Sequence, residues 1–285
     1  MPEREGGPDM PILNPEHAYR EFTVELEPGE AFTEHHLKVR KKDLSRYVFV
    51  PGSHLRGRRI AERLDDCRVI AATRGYYVYS GTYKGHFMSV CSTGMGGPQA
   101  AIAFEELGRL GADTFIRVGS AGAVRPDLGV GDIAVATAAC RFGGTSHNYL
   151  PAPYPAVAHF ELTQDLLLAA RDLGVTVHPG VCATGDAFYG PRVAEDLALM
   201  RKAGVVAVEM ETDTLFILGL YHGWRCAAAC VLDSGEGKEI EESSSAEMEI
   251  ASHGANPLFL KGEDDLITIA LEAMVRCIER DKASG

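Results

Sequence analysis

From Tyr47 onward the chain alternates between two kinds of segment, and this alternation restricts the folds open to it more than any other feature. The runs YVFVPG, CRVIAA, YYVYSGTY and HFMSVCSTG are short, rich in β-branched and aromatic residues and separated by turn residues, so they read as strands. GPQAAIAFEELGRLG then carries Ile102, Leu107 and Leu110 at near-helical spacing and ends on glycine, where a helix is expected to stop. Strand-like DTFIRVG and DIAVATAA, helical TQDLLLAARDLG, strand-like VTVHPGVCAT, helical RVAEDLALMRKAG, strand-like VVAVEM, helical TDTLFILGLYHG and strand-like WRCAAACVLD follow in order. A closing helix places Leu266, Ile269, Ala270, Ala273, Met274, Cys277 and Ile278 on one face. Such alternation covers both faces of a sheet with helices, so a layered α/β domain is expected.

Two segments break the pattern. Residues 1–30 are rich in Pro, Gly and Glu without a sustained period, which predicts a mobile N-terminal arm ahead of a single domain over 31–285. Between Ser234 and Gly262 the text GEGKEIEESSSAEMEI is acidic and serine-rich, which predicts a long surface loop over 234–262.

Charge narrows the function. With 28 basic against 40 acidic residues the formal net charge is −12, which argues against duplex nucleic acid as a partner because a basic face is needed to neutralise phosphates. A small anion stays open, since a few inward arginines suffice for one. No apolar run approaches the ~20 residues that span a bilayer, and the N-terminus lacks a signal-peptide core, so no membrane partner and a cytoplasmic location are expected. Seven scattered cysteines with no C-x-x-C pair read as buried reduced thiols, not as a zinc site.

Candidate chemistry lies in the turns after strands. In FIRVGSAGAV, Arg117, Gly119, Ser120 and Gly122 could form an anion cradle of backbone N–H groups, a hydroxyl and a guanidinium, or simply connect two strands. The spacing matches neither G-x-x-x-x-G-K-S/T nor G-x-G-x-x-G. VPGSHLRG places Gly52 after a strand and Arg56 four residues on, and STGMGGPQAA opens a helix behind Gly94, Gly96 and Gly97, where free N–H groups attract anions. In VAVEMETDT, Glu209 and Glu211 flank Met210. Two carboxylates on an apolar strand are costly to bury unless something binds them. A vicinal diol such as ribose would do so; helix capping by Glu211 with a solvated Glu209 is the alternative.

Taken together, VPGSHLRG, CSTGMGGPQAAIAFEEL, FIRVGSAGAV, VGDIAVATAA, YPAVAHFELT, ATGDAFYG and VEMET resemble, in order and spacing, the nucleoside phosphorylases of the uridine phosphorylase and hexameric purine nucleoside phosphorylase type. The resemblance runs from about Glu34 to Leu232 and is strongest to uridine phosphorylase. It implies a three-layer single domain with a central mixed, twisted β-sheet flanked by helices. The implied activity is phosphate-dependent cleavage of an N-glycosidic bond to a free base and ribose or deoxyribose 1-phosphate, with inorganic phosphate as co-substrate and no metal or organic cofactor. It further implies that Gly52, Arg56, Arg117 and Ser120 bind phosphate, joined by Arg74 from a neighbouring subunit. Glu209, Met210 and Glu211 would hold the ribose, and His36, lent across a dimer, would meet the 5′-hydroxyl. Such shared sites call for a homo-oligomer, a dimer or a hexamer. Phe188 and Arg192 would line the base, but no glutamine stands beside them to read uracil. Asp233 falls where purine phosphorylases keep a base-protonating acid. A uridine phosphorylase and a purine or modified-nucleoside phosphorylase therefore both stay open, with a nucleoside hydrolase and a non-catalytic nucleoside-binding protein as further alternatives.

Overall fold

The computed structural model describes residues 21–235 and 256–284. Its strands are β1 (Phe22–Thr23), β2 (Tyr47–Phe49), β3 (Asp65–Thr73), β4 (Tyr76–Tyr83), β5 (His86–Ser92), β6 (Thr114–Ala123), β7 (Ile133–Arg141), β8 (Ala156–Val157), β9 (His178–Thr184), β10 (Ala207–Glu209) and β11 (Arg225–Ser234). They join in the order β1-β3-β4-β5-β2-β6-β10-β9-β7-β11, with β8 beside β7. Because β11 also pairs with β6, strands β6, β10, β9, β7 and β11 close into a ring from which the other strands extend. The sheet is mixed: β2 and β11 run parallel to β6, while β10 runs antiparallel to it.

Helices α1 (His54–Ala61), α2 (Gly97–Arg109), α3 (Phe160–Leu173), α4 (Val193–Lys202), α5 (Thr212–His222) and α6 (Pro257–Ser284) supply the outer layers. Side chains alternate across a strand, and the two cores follow that period. Phe115 of β6, with Ala228 and Cys230 of β11, packs against Phe104 and Leu107 of α2 and Leu215 and Phe216 of α5. Ile116 and Val118, with Ala229 and Val231, face Ile60 of α1, Leu162 and Leu166 of α3 and the apolar stripe of α6. Arg117 therefore points to the α2/α5 side. Helix α5 is apolar all round and buried from Thr212 to Gly219, as befits a helix covered on every side. All seven residues of the predicted α6 stripe are buried. No helix among the described residues is long and apolar enough to cross a membrane.

Two expectations need correction. Phe22 and Thr23, inside the segment read as a loose arm, pair with Ala72 and Ala71 of β3; residues 1–20 lie outside the described residues. The segment read as a 234–262 surface loop ends early, because α6 begins at Pro257; residues 236–255 lie outside the described residues. Asn256 caps this helix through its Oδ1, which accepts from Leu258 N at 2.9 Å, and Phe259 buries its ring. At this start Gly262 lies so close to Gly131 that a Cβ would overlap the Gly131 carbonyl.

Candidate active site

The site forms where β2 leaves the sheet. Its last pair is Phe49 with Ile116, and Val50 N donates to Ile116 O at 2.9 Å before the chain turns away at Pro51–Gly52 into α1. On that same edge β10 does not reach β6 until Gly122. Residues 117–121 thus have β11 on one edge and no strand on the other, a crevice of the kind that binds ligands where strand order changes. The loop after β5 closes one wall, with Thr93 N donating to Pro51 O and Gly94 N to Gly52 O at 2.8 and 3.0 Å. Gly94 and Gly96 adopt φ of 74° and 89°, which favours glycine at both.

Arg117, only 3% exposed, lies at the centre. Its Nε donates to Glu209 Oε2 at 3.0 Å and its Nη2 pairs with Glu211. Burial opposes its charge, but Glu211 and Glu209 outweigh burial and raise its pKa. Its Nη1 is buried and meets no hydrogen-bond partner among the described residues. A Cβ on Gly52 would lie 3.7 Å from that nitrogen, so the absent side chain leaves the approach clear.

The two glutamates divide their work differently from the capping alternative. Glu209 caps α5: its carboxylate accepts from Glu211 N and Thr212 N at 3.0 Å and from Thr184 Oγ1 at 2.5 Å. Glu211 takes the N-cap position without capping through its side chain. Its carboxylate instead accepts from Gly96 N, the N-cap of α2, and from Arg117. Burial pushes the Glu211 carboxyl up, against the pull of Arg117. Asp213, one residue into α5, accepts from Ser146 Oγ at 2.8 Å and Thr214 Oγ1 at 2.9 Å, and burial raises it to about 6.

Arg56 stands beside this cluster on α1, buried, with Nε donating to Glu263 Oε1 at 2.6 Å. Burial lowers its pKa to about 10, with Arg117 adding to the effect and Asp233 at the end of β11 opposing it. Ser120, Met210 and Asp233 are half-buried around the crevice. The structure thus brings Gly52, Arg56, Arg117, Ser120, Glu209, Met210, Glu211 and Asp233 to one end of the sheet.

Four other candidates do not join them. Phe188 is 63% exposed on the loop before α4, and Arg192 is 75% exposed, drawn toward Glu195 and Asp196 in the first turn of α4 at 3.8 and 3.7 Å. His36 and Arg74 sit together at the β3–β4 turn, where Thr73 Oγ1 donates to His36 O. His36 Nδ1 lies 2.5 Å from Glu106 of α2. Arg74 is exposed and in the left-handed region at φ 51°, with its backbone N–H donating to Glu21 Oε1 at 3.3 Å. Three residues that position the candidates escaped the sequence analysis: Glu263 behind Arg56, Thr184 behind Glu209 and Glu106 behind His36. Glu106 and Thr184 lie inside quoted motifs and Glu263 in a charged run, but nothing in the letters marks them out, so only the fold singles each of them out.

Residues 46–256 match the family described as the phosphorylase superfamily. Uridine phosphorylase from Thermococcus kodakarensis is 43% identical over 222 residues, 74% of this chain and 80% of that protein. Guanosine phosphorylase from Halorubrum lacusprofundi is 39% identical over 198 residues, 70% of this chain and 82% of that protein. A crystal structure of uridine phosphorylase from Vibrio fischeri aligns with a TM-score of 0.77 at 32% identity, covering 85% of this chain and 96% of that one. The three-layer α/β architecture read from the sequence agrees with these neighbours.

Proposed function

The chain belongs to the phosphorylase superfamily, and we propose that it is a nucleoside phosphorylase that transfers ribose or deoxyribose from a base, uracil in the first instance, to inorganic phosphate. The observation that carries this reading is Arg117 Nη1, a buried charged donor with no hydrogen-bond partner among the described residues, beside the backbone of Gly52. Leaving such a donor unsatisfied is costly, and an anion oxygen answers it.

Phosphate held between Arg117, Arg56, Gly52 and Ser120 would sit beneath the anomeric carbon. Glu211 keeps lone pairs for the vicinal hydroxyls of the sugar, since a carboxylate accepts about four hydrogen bonds. As the bond to the base lengthens, the ribose gains positive charge and the phosphate serves as both nucleophile and counter-charge, so positioning and electrostatics carry the rate. No metal or organic cofactor has a role in this scheme. His36 and Arg74, outside the crevice of their own chain, complete the site of a neighbouring copy in a homo-oligomer of cytoplasmic location. The seven cysteines, all free thiols, accord with a reducing compartment.

A purine substrate is the second reading. It is favoured by Asp233, close enough to Arg56 to influence its charge, and by the exposed position of Arg192. Release of free base from uridine, thymidine, guanosine, inosine and adenosine, with and without inorganic phosphate, tests both. Phosphate-dependent release from uridine is expected. Release from guanosine or inosine alone moves the assignment to Asp233-assisted purine cleavage, and release without phosphate overturns phosphorolysis in favour of hydrolysis.

A further inference from the structure

His36 is half-buried, and three of its polar groups are held by two side chains. Its backbone N–H donates to both oxygens of Glu106 at 3.0 Å, its Nδ1 lies 2.5 Å from Glu106 Oε1, and its carbonyl accepts from Thr73 Oγ1. Leu37 N adds a further bond to Glu106 Oε2 at 2.8 Å. The Glu106 carboxylate, 4% exposed on α2, therefore spends its bonds on two consecutive residues of a connecting segment. Burial opposes its charge, but the hydrogen bonds from Leu37 and His36 outweigh burial and hold the carboxyl below its usual value. An ionised carboxylate only accepts, so the imidazole must present Nδ1–H to it. In the neutral ring Nε2 is then left as an acceptor, and no hydrogen bond within the described residues occupies it.

We propose that Glu106 is a positioning residue that fixes His36 as the Nδ1–H tautomer, so that Nε2 accepts a hydrogen bond from the 5′-hydroxyl of the nucleoside bound by a second copy of the chain. This rests on the reading of the protein as a nucleoside phosphorylase with a shared site. A glutamine at 106 reverses the sense of the contact. Its carbonyl oxygen must answer the two backbone N–H groups, which turns its NH₂ toward Nδ1 and drives the proton to Nε2.

The test compares kcat/KM for uridine and guanosine with that for their 5′-deoxy and 5′-amino-5′-deoxy analogues, in full-length wild type, Glu106→Gln, His36→Ala and the double variant. The 5′-ammonium group can only donate. Expected in Glu106→Gln is little change in the preference for the 5′-hydroxyl over the 5′-deoxy compound, because a hydroxyl can equally accept from Nε2–H, but a loss of about tenfold or more with the 5′-amino compound, whose ammonium cannot, the value of one hydrogen bond. The double variant should lose no more than His36→Ala. Equal losses on every analogue in Glu106→Gln would mean that Glu106 only tethers the segment, and would overturn the proposal. If His36→Ala also leaves the preference untouched, the assignment of His36 falls and takes the proposal with it, while phosphate-dependent turnover of the wild type would still stand. Should Glu106→Gln not fold, Glu106→Asp withdraws the carboxylate by one methylene without reversing the tautomer; it should weaken the preference for the 5′-hydroxyl and the 5′-amino group alike over the 5′-deoxy compound, and no change in either would overturn the proposal.

Discussion

Around Arg117 the charges are buried and, apart from Arg117 Nη1, answered within the chain, whereas beside the β3–β4 turn Arg74 stands exposed and His36 meets Glu106 through Nδ1, leaving Nε2 for another partner. The inner cluster is an electrostatic unit in which Glu209 and Glu211 sustain the charge of Arg117, so its parts cannot be removed singly without cost to the fold. The outer pair is held by backbone hydrogen bonds and, at His36, by Nδ1, while His36 Nε2 has no hydrogen bond among the described residues. Stability and function are thus fused in the first region and separable in the second. On the proposed reading, in which association completes the site, the lent residues need to lie outside their own crevice and be rigid enough to arrive in register.

The largest effect should follow from Arg117→Ala. It removes the phosphate donor and strands two buried carboxylates, so phosphate-dependent turnover should vanish and stability fall by about 3–5 kcal/mol, on the order of 10 °C in a thermal melt. An active, fully stable variant would break the description of the cluster as one unit. Arg117→Lys keeps the charge but not the fork; the expected loss is about 10²–10³-fold in kcat/KM with much less destabilisation. Glu211→Gln should cost about 10²-fold, read as a lost advantage of ribonucleosides over analogues without the vicinal diol. Arg74→Ala sharpens the contrast from the other side: the KM for phosphate should rise by about tenfold while the melting temperature stays within the span of ~0.5 kcal/mol. A fall in stability there would show that the turn belongs to the fold rather than to a neighbour's site.

The smallest effect concerns pH. Burial raises Asp213 to about 6, above the 3.8 of an unperturbed aspartate, so between these values the folded chain binds the extra proton. Its contribution is therefore fully present below about pH 3.8, is lost as pH rises from there through about 6, and above it costs on the order of 3 kcal/mol. Melts of wild type and Asp213→Asn from pH 4.5 to 8 should show this slope in the wild type and a flatter line in the variant; parallel curves would refute it.

The layered fold was legible because strands with period 2 and helices with an apolar stripe leave a direct imprint on sequence. The closure of β6, β10, β9, β7 and β11 was not, since pairing between strands distant in the chain has no local signature. The glycine-and-arginine turns could be found one by one, because each joins an apolar run to unusual backbone freedom. What bound them into one site was a resemblance carried by their common order. Glu263, Glu106 and Thr184 stayed hidden, because a buried polar side chain and a solvated one are written with the same letters. The start of α6 was overlooked for a simpler reason: Asn256–Pro257, a good cap followed by a good first residue, follows an acidic serine-rich run that drew the boundary too late.

The bare crossing of Gly131 and Gly262 acts as a depth stop for the last helix. With no side chain on either residue, α6 settles deep enough for the next residue, Glu263, to span both Arg56 and Arg59. On the proposed reading, how firmly phosphate is gripped is then set partly by clearance between two backbones outside the site. A single methyl on Gly262 would lift the helix, slacken Glu263 and be felt first as weaker phosphate affinity.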